Sequence, residues 1–263
     1  MLDIFKYFNL IKTISLTDFK LKYQGSVLGY LWSLVKPLML FLVMYFVFTK
    51  VFKIGGDIPY YPVYLLLGIV VWTFFLETTI SCLLSIVSKG DLIRKVYFPR
   101  AVLIISNSMT AFLTFLANLA IVVVFMVFNH VPFTWNILFV PFVMIELYVF
   151  VLGVGLILSS LYVKFRDISH IWEVTMQALF YATPILYSPL ALPVTYRKIL
   201  MLSPIAQILQ DFRYLTITTK TITVASTFES PFLIAIPYII PFVVFAVGYI
   251  LFEKMAAKFA EDV

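Results

Sequence analysis

The chain has 263 residues, of which 63% are hydrophobic and 12% are charged, and its formal net charge is +6. Soluble domains usually carry about a quarter of their residues as charged side chains, so this composition excludes a soluble enzyme and is typical of a polytopic membrane protein. The mean hydropathy of +1.05 agrees. The single cysteine, Cys82, excludes an internal disulfide and a cysteine-based zinc cluster.

The first 22 residues predict an amphipathic helix that lies in the membrane interface. Apolar side chains recur at near-helical spacing and lysines occupy other positions, a pattern typical of helices that also meet anionic lipid. No small-residue cleavage pattern follows, so we expect the segment to be retained. The alternative is a basic flank that only sets the topology. The apolar positions are Leu2, Phe5, Phe8, Ile11, Ile14 and Phe19.

Long neutral runs between charge clusters predict six membrane-spanning helices. The clearest run lies between Arg100 and Glu146, where no Lys, Arg, Asp or Glu occurs. A bilayer core of about 30 Å needs about 20 apolar residues per helical crossing, and a span must satisfy its backbone amides internally. We therefore expect an all-α fold with one membrane domain over residues 1–263. The predicted spans are residues 27–52, 61–88, 101–128, 137–163, 171–192 and 232–252.

The distribution of lysine and arginine predicts that both termini are cytoplasmic. These residues accumulate on the cytoplasmic side of membrane proteins. They are more frequent before the first span, after the second, fourth and sixth spans, and rarer elsewhere. Residues 192–231 also contain Arg197, Lys198, Arg213 and Lys220, but long connections carry less weight in this rule.

The connection of residues 89–100, with the sequence KGDLIRKVYFPR, mixes charged with apolar and aromatic residues. A turn needed only for topology does not require the apolar side chains, which suit insertion into a groove of a partner protein. The alternative is that they fold back against the membrane surface. The candidate residues for partner binding are Leu92, Arg94, Lys95, Tyr97, Phe98, Pro99 and Arg100.

Residues 192–231 are too polar to cross the membrane and too apolar for a free loop. Pro193, Pro204 and Pro231 divide the segment into short apolar runs. Short helices that dip into the outer leaflet fit both facts, because backbone at that depth is tolerated only where protein or a water-filled cavity covers it. We therefore expect this segment to cap a passage.

Glu77 and Glu146 are predicted to be intramembrane acids, and Glu173 lies near the end of a span. Such acids are costly and point by default to function. A proton-coupled carrier would use them as relays, whereas a neutral or paired acid that holds the bundle together is an equally good interpretation. His130 and His170 have no metal-ligand spacing, and the sequence has no Gly-rich phosphate loop. The chain therefore does not bind ATP by that device.

Aromatic residues recur near one helical face in two predicted spans. Rings that face a passage would offer flat surfaces to sugar rings. The alternative is packing against lipid or neighbouring helices. The candidates for lining a channel are Tyr30, Phe41, Tyr45 and Phe48 in the first span, and Trp172, Met176 and Phe180 in the fifth.

Four short motifs occur in order on this frame: YQGSVLGYLW at residues 23–32 with Pro37 after it, KVYFPR at 95–100, FRDI at 165–168 and TPILY at 183–187. Together they resemble the permease subunits of ABC-type polysaccharide and polyol-phosphate exporters, which move lipid-linked O-antigen, capsule or teichoic-acid chains. The resemblance extends over essentially the whole chain. Ser203-Pro204 departs from the Asn-Pro that such permeases often have.

The resemblance implies a passive conduit of the bacterial inner membrane. Residues 89–100 would hold a coupling helix that docks into a separate ATPase subunit, and residues 1–22 would rest against the same subunit. Two copies of this chain would face each other, with the first and fifth spans lining a channel and residues 192–231 forming outer gate helices. Two copies of the ATPase would bind ATP and Mg²⁺, so this chain would be no enzyme and would hold no cofactor. The substrate would be a lipid-linked glycan.

Three other functions remain open at this point. A related ABC-type exporter of drugs or small lipids shares the topology, and the aromatic content favours a sugar polymer only weakly. A proton-coupled carrier would use Glu77 and Glu146. A membrane-embedded enzyme is disfavoured because clustered His and acidic residues at the lipid boundary are missing.

Overall fold

The structure is a computed structural model that describes residues 7–22, 25–26, 28–53, 56, 58–95, 98–256 and 259. Every regular element within these ranges is helical. The α-helices are α1 (Phe8–Lys22), α2 (Trp32–Phe46), α3 (Tyr61–Ser88), α4 (Gly90–Lys95), α5 (Ala101–Phe128), α6 (Val140–Lys164), α7 (Ile168–Ala182), α8 (Val194–Met201), α9 (Pro204–Thr216), α10 (Val224–Thr227) and α11 (Pro231–Ala256).

Five helical segments of the described chain are long and apolar enough to cross a bilayer, and they confirm five of the predicted spans as helices. Short 3-10 turns precede α2 and α6, and a π-helical turn, Val47–Val51, extends α2. The all-α membrane fold is therefore confirmed at this level. The five segments are Gly29–Val51, Tyr61–Ser88, Ala101–Phe128, Trp135–Lys164 and Pro231–Ala256.

The fifth predicted span, residues 171–192, corresponds to α7, which ends at Ala182. Thr183 is extended, with φ −80° and ψ 143°, because the ring of Pro184 disfavours helical backbone in the residue before it. The 15 residues of α7 rise only about 22 Å. The chain then turns back toward α3, where the Tyr61 hydroxyl donates to the Leu186 carbonyl at 2.9 Å.

Helix α3 lies at the centre of the bundle. Buried residues make up 78% of its most apolar stretch, against 17% for the segments Gly29–Val51 and Pro231–Ala256. A helix that is apolar on all sides is buried on all sides, and α3 packs against α2, α5, α6, α7 and α9. The outer helices of the described chain therefore surround α3.

Glycines bring α6 and α11 into close contact. A Cβ atom on Gly153 would lie 2.6 Å from the backbone of Phe245, and one on Gly248 would lie 2.5 Å from the Gly153 carbonyl oxygen. Small residues let membrane helices approach closely in this way. The contact fixes α11 against α6 although α11 comes last in the chain.

Helix α1 packs against α5. The Ser15 hydroxyl donates to the Ser106 carbonyl at 3.1 Å, and the Thr110 hydroxyl donates to the Ser15 carbonyl at the same distance. Ile11, one turn before Ser15, is 4% exposed. One face of α1 is thus fixed to the bundle, and its opposite face remains exposed.

Candidate functional site

Helix α7 has one face against the bundle and one exposed face. On the inner face, Met176 is 2% exposed and the Trp172 indole N–H donates to the Thr79 hydroxyl at 3.0 Å. Phe180 meets the Trp72 ring edge-on, with centroids 5.9 Å apart. The predicted channel candidates on α7 therefore contact α3.

The exposed face of α7 carries a polar stripe. Ser169, Glu173, Gln177 and Tyr181 follow one another at four-residue intervals, which places them on one side of a helix. Glu173, Gln177 and Tyr181 are all exposed. We call these four residues the polar stripe of α7. Within a bilayer, a carboxylate and an amide would be costly against lipid.

A groove of about 550 Å³ runs beside the polar stripe between α2, α3 and α7. Trp72, Met176 and Phe180 form part of its apolar surface, and all four residues of the stripe line it. Leu40 and Met44 complete the wall from α2. An apolar surface beside a polar edge suits a ligand that is itself amphipathic.

The predicted aromatic candidates of the first span occupy several environments. Phe41 is 3% exposed, stacks on Tyr45 with centroids 5.6 Å apart and meets Phe125 edge-on. Phe48 is half-buried, whereas Tyr30 is exposed and stacks on Phe19. Phe41 and Tyr45 thus face the bundle. The groove wall from α2 is formed by Leu40 and Met44, which are not aromatic and were not among the predicted candidates.

Helix α9 carries a buried polar cluster that we define as Glu146, Gln207, Asp211 and Tyr238. The Gln207 amide donates to Glu146 at 3.3 Å and to Asp211 at 2.8 Å, and the Tyr238 hydroxyl donates to the same oxygen of Asp211 at 2.8 Å. Burial raises the pKa of the Asp211 carboxyl, and the hydrogen bonds from Gln207 and Tyr238 oppose that rise. The cluster joins α6, α9 and α11.

Glu77, the other predicted intramembrane acid, is half-buried on α3. Glu77 is not a member of the polar cluster. Of the two predicted intramembrane acids, it is Glu146 that shares the Gln207 amide with Asp211. Asp211 was missed by the sequence analysis. Its signal was the four-residue spacing from Gln207 within a segment interpreted as an outer cap.

Arg213 connects α9 to the end of α7. Its side chain is 0% exposed and donates to the carbonyls of Pro184 at 2.6 Å, Ile185 at 2.8 Å and Tyr64 at 3.0 Å. The guanidinium also lies 3.3 Å from the centroid of the Tyr64 ring, a favourable cation–π arrangement. Buried carbonyls need donors, and Arg213 supplies them where the chain leaves α7.

The space for Arg213 depends on Gly68 of α3. A Cβ atom at Gly68 would lie 2.7 Å from an Arg213 terminal nitrogen and 3.2 Å from the Ile185 carbonyl oxygen. The sequence analysis counted Arg213 among the charges of a long connection. The structure places it inside the protein, at the junction of three segments.

Within the predicted partner-binding connection, Gly90–Lys95 form the short helix α4, and the description resumes at Phe98. Lys95 is exposed, and Pro99 and Arg100 are half-buried. Phe98 is 6% exposed and belongs to an apolar cluster with Ile11 of α1 and Phe252 of α11. The Phe98 side chain is therefore packed inside the protein against α1 and α11. Tyr97 and the side chains of Leu92 and Arg94 lie outside the described residues.

Helices α1 and α4 are joined at this end of the molecule. Lys89, which directly precedes α4, donates to the Asp18 carboxylate on α1 in a half-buried ion pair. Ile93 of α4 is buried in the same apolar cluster as Ile11. Residues of α1 and α4 thus form one surface at the end of α3 opposite Tyr64.

Comparison with known proteins identifies the family of the chain. Residues 9–217 match the family described as ABC-2 type transporter. Two proteins of Klebsiella pneumoniae, each named O-antigen export system permease protein RfbA, are 32% and 31% identical over 97% of this chain and 95% of their own length. A protein of the same name from Myxococcus xanthus is 31% identical over 70% of each chain. The chain belongs to the ABC-2 type transporter family.

Proposed function

We propose that this chain is the membrane subunit of an ATP-driven exporter that moves a lipid-linked polysaccharide of the O-antigen type across the bacterial inner membrane. The polar stripe of α7 carries the proposal, because its carboxylate and amide are exposed beside an apolar groove and need water or protein in a bilayer. The export function named for the relatives supports the same substrate class.

In this proposal two copies of the chain face each other across the polar stripes. Helix α7, the fifth predicted span in chain order, is added to the five long segments to give six spans. Both termini, α1 and α4 are cytoplasmic, and α8, α9 and α10 lie at the outer end as gate helices. Helix α7 would then cross only part of the bilayer, because the chain turns back toward α3 after Thr183. The groove would accept the lipid-linked end of the substrate, with its apolar wall against the lipid chain and its polar edge against the glycan.

Energy would come from two copies of an ABC-type ATPase subunit, which bind ATP and Mg²⁺. The surface formed by α1 and α4 would dock on that subunit, and the exposed Lys95 offers it a charge. Nucleotide can drive the change only through different affinities for two states of the permease. The buried contacts of Ile11, Ile93 and Phe98 would carry a movement of α4 to α1 and α11.

Reconstitution of the chain with its ATPase tests the proposal. The chain alone in lipid vesicles should neither hydrolyse ATP nor move glycolipid, and the complex should do both. Lys95→Glu should weaken the complex about tenfold, a loss typical of one charge-assisted contact. Lys254→Glu, an exposed lysine of α11, should leave the affinity unchanged. ATP hydrolysis or ATP-dependent transport by the chain without the ATPase would contradict the proposal.

A proton-coupled carrier is the second candidate, because Glu146 and Asp211 are bridged by one amide inside the bundle. The same vesicles separate the two functions. A carrier would transport without ATP and stop when a proton ionophore collapses the gradient, whereas the proposed exporter needs ATP and ignores the ionophore.

A further inference from the structure

A second cavity, of about 590 Å³, opens at the end of α3 opposite α4. Three connections form it: the one that precedes α3, the one that follows α7 and the one that follows α9. Its volume is within the range of about 300 to 1,000 Å³ usual for small-molecule sites. Its lining is more polar than that of the groove beside α7, with hydroxyl groups from Ser188, Thr218 and Thr221.

The described side chains that line this cavity are either positively charged or neutral. Lys53 and Lys220 line it, and both are exposed. Among the described lining residues they are the only charged ones. Two ammonium groups beside one cavity attract a carboxylate or a phosphate, and each donates hydrogen bonds to it.

Two tyrosines give the cavity a fixed aromatic wall. The Tyr64 hydroxyl donates to the backbone carbonyl of Tyr187 at 3.2 Å, and the Tyr187 hydroxyl donates to the Ala182 carbonyl at 3.0 Å. Tyr64 is also held by the Arg213 guanidinium over its ring. Tyr64 is 3% exposed and Arg213 covers one face of its ring, so the half-buried Tyr187 supplies the aromatic surface that a sugar ring can contact.

Two details mark the cavity as adapted for binding. Lys53 has φ 54°, a left-handed conformation that costs free energy in a residue other than glycine and is concentrated at functional sites. It follows the π-helical turn Val47–Val51, another feature frequent at such sites. The Thr221 hydroxyl oxygen is buried and has no hydrogen-bond partner within the described part of the chain, which is unusual for a buried polar group.

We propose that this outer cavity, lined by Lys53, Tyr64, Tyr187, Thr218, Lys220 and Thr221, binds negatively charged sugar units of the polymer as they leave the passage. The inference rests on the proposed function for the origin of the ligand and deepens it by naming an acidic saccharide. A lipid headgroup phosphate has the same charge, and the test therefore separates the two sources.

Binding to the full-length chain in phosphatidylcholine nanodiscs tests the proposal without the ATPase, so failure of the export function and failure of this site are distinguishable. The probe is trigalacturonate, followed by ligand-observed NMR, with neutral maltotriose as its matched control. Lys53→Gln and Lys220→Gln should each weaken trigalacturonate binding about tenfold, the loss expected for one charge-assisted contact. Lys198→Gln, an exposed lysine of α8 outside the cavity, should have no effect.

Four results obtained in the phosphatidylcholine nanodiscs would overturn the proposal. They are the absence of trigalacturonate binding, equal binding of maltotriose, unchanged affinity in both lysine variants, and displacement by inorganic phosphate at the same concentration as trigalacturonate. Loss of trigalacturonate binding in nanodiscs that contain phosphatidylglycerol would assign the cavity to a lipid headgroup and would also overturn it. Binding that persists there and depends on Lys53 and Lys220 supports the acidic saccharide.

Discussion

Helices α7 and α9 have similar lengths and opposite environments. Met176 is the one buried residue of α7, whereas α9 is buried without interruption from Ile205 to Arg213. Both helices carry polar side chains. Asp211 and Arg213 of α9 are hydrogen-bonded inside the chain, although both polar atoms of the buried Gln210 side chain have no partner within the described residues. Glu173, Gln177 and Tyr181 of the polar stripe of α7 are exposed.

This difference distinguishes buried polar residues, which stabilise the fold, from exposed polar residues, which are available to a ligand or a partner protein. Buried polar groups are usually hydrogen-bonded within the protein, and on α9 the Asp211 carboxyl accepts from Gln207 and Tyr238 while Arg213 donates to three backbone carbonyls. Glu173, Gln177 and Tyr181 of the stripe on α7 are exposed instead, and a carboxylate and an amide would be costly against lipid. We therefore expect substitutions in α9 to change stability and substitutions in the α7 stripe to change transport.

The largest effect should come from Arg213→Met, which leaves three buried carbonyls without donors. We expect a loss of about 3 kcal/mol or more in the free energy of unfolding, measured by denaturation in detergent with tryptophan fluorescence. The matched control is Arg197→Met. Arg197 also donates to three carbonyls, but it is half-buried near the surface, so its loss should cost less than about 1 kcal/mol. Equal losses of stability in the two variants would contradict the claim that the buried Arg213 contributes more than the half-buried Arg197.

Gly68→Ala should have the next largest effect, because the added Cβ would lie 2.7 Å from Arg213. Overpacking of this kind costs about 1 to 3 kcal/mol, and the melting temperature in detergent should fall accordingly. Gly56→Ala is the control, since a Cβ there meets nothing within 4 Å. A melting temperature unchanged in both variants would mean that the position of Arg213 is not fixed.

Asp211→Ala should cost about 1 to 2 kcal/mol, because the Gln207 amide and the Tyr238 hydroxyl lose their acceptor. Asp211→Asn keeps an oxygen that accepts both bonds and should be tolerated.

The two Asp211 variants also differ from the native chain in pH dependence. Burial raises the pKa of Asp211 in the folded state, so its stabilising contribution is fully present below the unfolded pKa and is lost as pH rises through the folded pKa. Asp211→Asn should flatten this fall in melting temperature. A steeper fall in the variant would contradict the protonation argument.

The smallest effect on stability should come from Glu173→Gln on α7, at less than about 0.5 kcal/mol, as for other exposed sites. Its effect should appear as a changed rate of ATP-dependent glycolipid transport in vesicles. A variant that loses stability and keeps transport would reverse the roles assigned to the two helices.

The spans were predictable from the sequence because long neutral runs leave a helix in lipid as the only arrangement that satisfies the backbone. The end of α7 also had a local signal in Thr183-Pro184, although the predicted span continued past it. The burial of α9 had no such local signal in the sequence. Gln207, Asp211 and Arg213 look like solvent-exposed residues of a long loop, and only tertiary contacts with Glu146, Tyr238 and the carbonyls after α7 show otherwise.

The candidate site was predictable only in part for the same reason. Aromatic spacing identified rings on α2 and α7, but spacing does not decide whether a face meets α3 or the outside. Met176 and Phe180 were identified and line the groove, whereas Glu173 was noted only as a boundary acid, and Leu40 and Gln177 were missed. The direction of each face depends on how α3 is enclosed, which no local pattern encodes.

Cysteine accessibility along α7 tests most directly whether the polar stripe faces water or protein within the membrane. The native Cys82 is buried and is replaced by alanine, and single cysteines are introduced as Glu173→Cys, Gln177→Cys and Met176→Cys in membrane vesicles with the ATPase. We predict that a membrane-impermeant thiol reagent labels positions 173 and 177 and spares position 176. In vesicles not treated with the reagent, oxidation should form disulfide cross-links between copies at positions 173 and 177. Protection of positions 173 and 177 together with an absence of cross-links would contradict the account.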